Sequence, residues 1–531
     1  MSDKRLLHLS AAEMARGIRQ GQWTSEALVE AHIGRITEIN PLLNAVIFPM
    51  FEEARQLAKE ADRKMKSGEA PGPLHGVPIT VKESIEVAGT PSTWGLASRR
   101  GQRAQEDDPS VALLKDAGAI VLGKTNVMQL LMGSESVNPL YGRTCNPWRP
   151  GERSSGGSSG GEAAVIAAGG SPLGLGTDVG GSVRTPAHYC GIHALKPTPG
   201  RVPAKKPEGI AHVVPEAASM SSIGPMARHV EDLALAMQVI STAESLSRAP
   251  IRMNANGVKG LRIAFYTSDG MLAPSPAIQR AVRDAAGVLQ RYGAEVREFA
   301  LPDPEIALHS FYALLSAGGA EGIEKTVGTD EIAEQIAGIR RSFGMSAGKK
   351  RIGSLILRLL GQNLAGTHLI PYMGKKSAKE LQRLISQREE YRQRFLRQLE
   401  RQQIDALIGP PFPVPAIPHD LSLEMSFEGA YALLYNYLGL PAGVISTTAV
   451  RPEEEAGAAG VVGKDRMAQA AAKANVRSAG LPVGVQVAGR PWREDLVLTV
   501  MECLERESSA AQDYPVGKPV RRLPAGYTID E

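Results

Sequence analysis

Four stretches of the 531-residue sequence carry residue types at spacings that could do chemistry. Residues 118–125 read Gly-Ala-Ile-Val-Leu-Gly-Lys-Thr and fit GxxxxGK[ST], the loop whose backbone amides cradle a nucleotide phosphate. That loop needs a strand before its first glycine. Here residues 109–117 read as a helix and the residues between the glycines are strand formers, so the stretch reads as a helix end followed by a buried strand. A nucleotide-binding protein working through Gly118 to Thr125 is the alternative from another class. Gly174, Gly176 and Gly180 approach a dinucleotide fingerprint, with the last spacing wrong by one. Gly157-Ser158-Ser159-Gly160-Gly161 satisfies GxSxG, a turn that exposes a nucleophilic serine and needs an acid and then a histidine downstream. His193, His212, His229, His309, His368 and His419 follow, none in a context that singles it out. The fourth stretch is Lys82, directly after the apolar run 76–81. At a buried strand end the ammonium loses its water, its pKa falls, and the amine becomes a usable general base. Taken alone, Lys82 reads better as a strand-edge lysine paired with Glu83.

The elements that must position these groups follow from the hydrophobic pattern. Residues 9–70 read as helical, with Ser10 and Glu13 opening one helix and Thr24 or Ser25 another. Short apolar runs at 77–81 and 119–122 flank the helix at 109–117, which predicts strand–helix–strand units and a largely parallel sheet. Residues 151–191 are dense in Gly and Ser, yet apolar segments run between the glycines, so they form a structured loop system and not a linker. A second α/β passage has strands at 262–266 and 294–299. Residues 335–405 are helical and basic, 406–408 and 483–487 read as late strands, and 451–478 as a surface excursion that is helical at its Ala-rich end.

Composition excludes several classes. Sixty Lys plus Arg against 56 Asp plus Glu leave a formal charge of +4, and aromatics are 5%, so neither phosphate neutralisation nor base stacking points to nucleic acid. Three distant cysteines, Cys145, Cys190 and Cys503, exclude a disulfide scaffold and a zinc ribbon and fit a reducing compartment. No signal peptide or membrane-spanning run is read, so the expected location is cytoplasmic.

Several runs together resemble the amidase signature family of serine hydrolases. They are Gly76-Val77-Pro78 with Lys82-Glu83, Gly123-Lys124-Thr125-Asn126, Gly156-Gly157-Ser158-Ser159-Gly160-Gly161, and Gly176-Thr177-Asp178-Val179-Gly180-Gly181-Ser182-Val183-Arg184. Gly191 with Leu195-Lys196-Pro197-Thr198, and Gly480-Leu481-Pro482-Val483-Gly484, continue in the family's order. The resemblance implies an α/β fold, a twisted mixed sheet covered by helices with a helical cap at 335–405. It implies one domain over 1–531: N-terminal helices 1–70, signature core 71–240, the cap, and a C-terminal part of the core at 406–531. It implies a Ser–Ser–Lys triad of nucleophile Ser182, bridging Ser158 after a cis peptide, and base Lys82. Ser158 follows the double glycine 24 residues before Ser182; Ser155 and Ser159 are the fallbacks. Val179, Gly180, Gly181 and Ser182 are the implied oxyanion-hole donors, with Asp178 and Arg184 bracing the loop. No metal and no organic cofactor is implied.

Within the family the likeness is to the fatty acid amide hydrolase branch. Asn138-Pro139-Leu140-Tyr141-Gly142, Asn146-Pro147-Trp148, Gly161-Glu162 and Ala432-Leu433-Leu434-Tyr435-Asn436 carry it. Leu131 falls where those enzymes have a large apolar residue near the scissile group, and it and its neighbour Met132 are the expected substrate contacts, although 128–134 differs from that branch at several wall positions. Ile352, Leu355, Ile356, Leu359 and Leu360 share one helical face flanked by Lys349, Lys350, Arg351 and Arg358, which by pattern fits a core helix and an interfacial one equally. The resemblance favours a cap touching a bilayer through 351–364. The expected partners are a small-molecule amide with an apolar acyl chain, that membrane surface, and a second copy in a homodimer. Aryl acylamides, carbamates and esters are the runner-up substrates, and a catalytically silent binding module is the remaining alternative.

Overall fold

The computed structural model describes residues 4–205, 216–425, 430–455 and 463–516. His212 and part of the expected 451–478 excursion lie outside them. Eleven strands form one mixed sheet: β1 (Val46–Pro49), β2 (Pro78–Lys82), β3 (Ile120–Thr125), β6 (Leu173–Asp178), β7 (His193–Lys196), β8 (Ser222–Ala227), β9 (Arg262–Phe265), β10 (Glu295–Glu298), β11 (Ala406–Gly409), β12 (Ala442–Ala449) and β13 (Pro482–Gly489), with β4 (Val137–Asn138) and β5 (Gly142–Arg143) as a separate ribbon. The order across the sheet is β1-β3-β2-β6-β8-β7-β12-β13-β11-β9-β10.

The sheet is mixed, as the family resemblance implies, and not largely parallel as the strand–helix–strand pattern alone predicts. Pairing is parallel where a helix carries the chain back over the sheet, as between β2 and β3 through Pro109–Asp116 and between β9 and β10 through Pro276–Arg291. In the middle, β6, β8, β7, β12 and β13 pair antiparallel in succession. The N-terminal stretch is helical as the pattern predicts. A Ser10–Glu13 capping box opens Ala11–Arg19, and Thr24 caps Ser25–Leu43. Sequence periodicity misses β1, whose four residues lie between two helices and pair with β3.

Residues 118–125 are a helix end and a buried strand. Gly118 has φ +95° and sits so close to His75 that a Cβ would lie 2.6 Å from its Cα. Lys124 turns inward, donating to Pro91 O at 2.7 Å and Ser92 Oγ at 3.0 Å, so no phosphate loop is present there.

Helices Glu334–Phe343, Ala347–Leu359 and Ala378–Arg401 occupy the expected cap. Ala347–Leu359 resolves the ambiguity of its pattern: Ile352, Leu355, Ile356, Leu359 and Leu360 are 49–79% exposed. No helix among the described residues is long and apolar enough to cross a membrane. The Ala-rich helix Arg466–Asn475 is less of an excursion than expected. It buries Met467, Ala470 and Ala474, and Arg153 grips its C-terminal end through Ala474 O and Arg477 O.

Candidate active site

Because β2 and β6 run parallel, with Thr80 opposite Gly174 and Val81 opposite Leu175, their C-terminal ends lie side by side. Lys82 ends β2, and Thr177 and Asp178 end β6. Such a line of parallel strand ends is where α/β sheets present ligands. Ser158 lies just before the helix Gly160–Ala167 and Ser182 just before the helix Arg184–Cys190, so both serines arrive at helix starts. The Ser159 N–H donates to Ser182 O at 3.2 Å and holds the two turns together.

Lys82 is fully buried. Its Nζ lies 2.7 Å from Ser158 Oγ and donates to Thr177 Oγ1 at 2.8 Å. Burial pushes the amine down to about 7, against the pull of Asp178, Glu162 and Glu83. A neutral amine has a lone pair, so the Ser158 hydroxyl can donate to it. The Gly157–Ser158 peptide is cis. Among the serines left open by sequence, Ser158 meets Lys82, Ser155 points to Thr144 O at 3.4 Å, and Ser159 to Thr177 O at 3.4 Å. Two other lysines are buried with lowered pKa values, Lys124 at about 8 and Lys196 at about 7. Lys196 donates to Pro197 O, and Lys124 meets a serine that does not line the substrate-sized cavity.

That cavity, about 540 Å³, has Val179, Gly180 and Ser182 on one wall. Leu131, Met132, Phe311, Ile339, Phe343 and Phe412 make much of the remainder apolar. Its size suits a drug-sized ligand. Leu130 and Leu131 both have positive φ, 54° and 61°, an unusual pair for leucines, and Leu131 lines the cavity as expected. Ser182 is half-buried, and its hydroxyl makes no hydrogen bond among the described residues.

The oxyanion-hole expectation needs one correction. The Gly181 N–H donates to Asp178 Oδ1 at 2.8 Å and is taken, which leaves the N–H groups of Val179, Gly180 and Ser182 without protein partners among the described residues. Asp178 is the post around which this turn winds. It also accepts from the Val183 N–H at 3.2 Å, from Arg184 Nε at 3.0 Å and Nη2 at 2.9 Å, and from Asn436 Nδ2 at 3.0 Å. Burial alone would raise its carboxyl, but the Arg184 guanidinium and these donors hold it well below the usual carboxylate range. Arg184 in turn binds Ala432 O and Gln486 Oε1.

Sequence reasoning assigned no role to Thr177, Glu162 or Asn436. Glu162 accepts from both Thr80 and Thr125 hydroxyls beneath Lys82, and burial pushes it up to about 7. A Cβ at Gly174 would fall 1.9 Å from Glu162 Oε1, which accounts for the glycine in mid-strand.

Residues 27–498 match the model of the amidase family. The chain belongs to the amidase signature family. It is 34% identical over 523 residues to fatty-acid amide hydrolase 1 of Sus scrofa, covering 95% of this chain and 87% of that protein. It is 32% identical over 520 residues to a glutamyl-tRNA(Gln) amidotransferase subunit of Roseiflexus sp. (strain RS-1), covering 94% and 97%. Among solved structures, a fatty acid amide hydrolase superposes with a TM-score of 0.80 at 25% identity, covering 94% of this chain and 85% of that one. This enzyme is an amidase, a hydrolase of small-molecule amides.

Replacing Arg184 by leucine would leave the buried Asp178 charge unpaired and cost this amidase about 3–5 kcal/mol of stability. Thermal unfolding checks this. The double change with Asp178→Asn should recover part of the loss, and an unchanged unfolding temperature for Arg184→Leu would refute the bracing role.

Proposed function

We propose that the enzyme hydrolyses amides of long apolar carboxylic acids through an acyl-enzyme on Ser182, with Ser158 and Lys82 as the proton relay. The observation that carries the reading is Lys82, fully buried with its Nζ 2.7 Å from Ser158 Oγ and its pKa lowered by burial to about 7, beside the cavity that Ser182 lines. Ser182 Oγ attacks the carbonyl carbon and passes its proton to Ser158, whose own proton moves to Lys82. The N–H groups of Val179, Gly180 and Ser182 stabilise the oxyanion, each worth roughly 3–4 kcal/mol in comparable sites. Collapse breaks the C–N bond, and the relay returns the proton to the leaving amine. Water then takes the same route to release the acid and regenerate Ser182.

Two features support a fatty acyl group over an aryl one. The cavity wall is largely apolar, with Leu131, Met132, Leu315, Ile339, Met373 and Phe412, and its polar lining comes from Ser134, Gln335, Arg341 and Ser422 among others. Helix Ala347–Leu359 presents an exposed apolar row edged by Lys349, Arg351 and Arg358, a face that complements an anionic bilayer surface. Phe343 and Met345, just before that helix, line the cavity. Residues 351–364 would then sit in the interface and receive lipid substrate close to the site.

The test is kcat/KM on amides sharing one leaving group, with acyl chains from acetyl to oleoyl and Ser182→Ala as the blank. Burial of methylenes predicts a rise of roughly fourfold per added carbon until the cavity is full. A peak at short or aromatic acids would move the function to aryl amides or carbamates. Lys82→Ala should lower amide hydrolysis by roughly 10²–10⁴-fold and a matched ester far less, because only the amine must be protonated to leave. Equal losses would refute the relay.

For the membrane face, Ile352→Glu with Leu359→Glu should abolish co-sedimentation with anionic vesicles. Hydrolysis of a short soluble amide should stay unchanged. Full retention of vesicle binding would refute the assignment of this face.

A further inference from the structure

The substrate cavity carries a charge that the acyl-enzyme chemistry does not use. Among the described residues that line it, Arg341 alone has an ionised side chain, and no Asp or Glu stands on the wall to balance it. Arg341 is an exposed residue near the end of the helix Glu334–Phe343. Gln335, Gly338, Ile339 and Ser342 of the same helix also line the cavity, so the helix turns one face towards it. Gly338 lies one turn before Arg341. A Cβ added to it would fall 4.0 Å from Arg341 Nη2, and apart from the helix's own backbone nothing else comes within 4 Å. The guanidinium therefore folds back over the glycine, on the face that forms the wall. Glycine in a helix interior is unfavourable relative to alanine, and here its bare backbone leaves the space beside the guanidinium open.

Three other polar side chains of the lining already have protein partners. Gln335 Nε2 donates to Asp420 Oδ1 at 3.2 Å, Ser342 Oγ to Gly338 O at 3.1 Å, and Ser422 Oγ to Glu135 Oε1 at 2.5 Å. The two carboxylates behind these contacts are engaged as well. Asp420 pairs with Arg143, and Glu135 accepts from the Asp420 N–H at 3.1 Å and the Ser422 N–H at 3.3 Å. The Arg341 side chain has no hydrogen bond or ion pair with any described residue. An exposed arginine on a helix needs no explanation by itself. One held over the apolar cavity that contains Ser182, with its donors free and the carboxylates bonded to this wall committed elsewhere, favours a ligand that brings its own negative charge. A guanidinium takes a carboxylate through two parallel hydrogen bonds, which the apolar surround strengthens.

We propose that the substrate amide carries a carboxylate remote from its scissile bond and that Arg341 binds it. This rests on the acyl-enzyme reading of Ser182 and narrows its substrate class to amides in which an apolar chain ends in a carboxylate. The remoteness follows from exposure: Lys82 and Ser158 are buried at strand ends, whereas Arg341 stands on the solvent side of the cavity. The carboxylate belongs either to the acyl half, as in the monoamide of a long dicarboxylic acid, or to the amine half, as in an N-acyl ω-amino acid. In both cases hydrolysis of the C–N bond leaves that group unchanged, and the apolar stretch between it and the amide fills the cavity.

The test measures kcat/KM of the full chain on amides of equal chain length whose far end is a methyl, a carboxylate or an ammonium. One series places that end on the acyl half and a second places it on the amine half. In at least one series the unaltered enzyme should prefer carboxylate to ammonium by about tenfold or more. In that series Arg341→Gln should lower the carboxylate-to-methyl ratio by about 10–100-fold, chiefly through KM, the range of a hydrogen bond to a charged group. Arg341→Glu should reverse the preference to ammonium. Ratios taken within each variant cancel any general loss of activity, and the series that responds tells which half lies against Arg341. No preference for carboxylate in either series of the unaltered chain, or ratios unchanged in Arg341→Gln, would overturn the assignment. Fluorophosphonate labelling of Ser182 keeps the two readings apart. A labelled Ser182 with no charge preference overturns the role of Arg341 alone. An unlabelled serine, with hydrolysis undiminished in Ser182→Ala, would remove the acyl-enzyme reading and this one with it.

Discussion

An ammonium moved from water into the core loses far more hydration energy than one or two neutral hydroxyls can return. Lys82 is in that position, at the end of a central strand with Ser158 and Thr177 as its bonded partners. Burial lowers its pKa to about 7, so that deprotonation near neutral pH relieves the cost, and the surrounding carboxylates set how far the pKa falls. Glu162 lies beneath it but is itself pushed towards protonation, and Asp178 is tied to Arg184. Had a fully ionised, unshared carboxylate faced Lys82, the amine would stay charged and could accept no proton. The division of buried charges across this strand end therefore decides whether the site has a base.

The same division explains why distant parts of the chain converge here. Asp178 organises the Gly180–Gly181–Ser182 turn by taking one N–H and leaving others free. Its own charge is tolerated because Arg184 and Asn436 complete its hydrogen bonds. Arg184 then reaches Gln486 on β13. A turn that must present unpaired N–H groups to a reacting oxygen is thus held by a buried network anchored on three separate segments, and such networks rigidify only when fully satisfied.

Much of this was legible in the sequence because it resides in short glycine-bounded runs. Ser158 and Ser182 sit beside glycines that a turn or close approach requires, Lys82 ends an apolar strand run, and Ser10–Glu13 or Pro109 mark helix starts by local chemistry alone. What was not legible is long-range. Asn436 reaches Asp178 across more than two hundred residues, and Phe311 and Phe412 line one cavity with Ser182 although the chain separates them from it by more than a hundred residues. The engagement of the Gly181 N–H depends on a rotation of one peptide plane, which no spacing encodes. β1 is too short to show a period. The apolar row of Ala347–Leu359 was visible, but whether it faces core or solvent was decided by its neighbours.

The most direct measurement of the central claim is the pH dependence of the rate at which a fluorophosphonate labels Ser182, since it reports activation of the nucleophile without a leaving amine. Burial lowers the Lys82 pKa, so the amine is neutral above the folded-state value and charged below it. The account predicts labelling that is flat at high pH and falls by about tenfold per pH unit below an inflection near 7. An inflection near 10, the range of a solvated lysine, or a profile unchanged in Lys82→Ala, would contradict it.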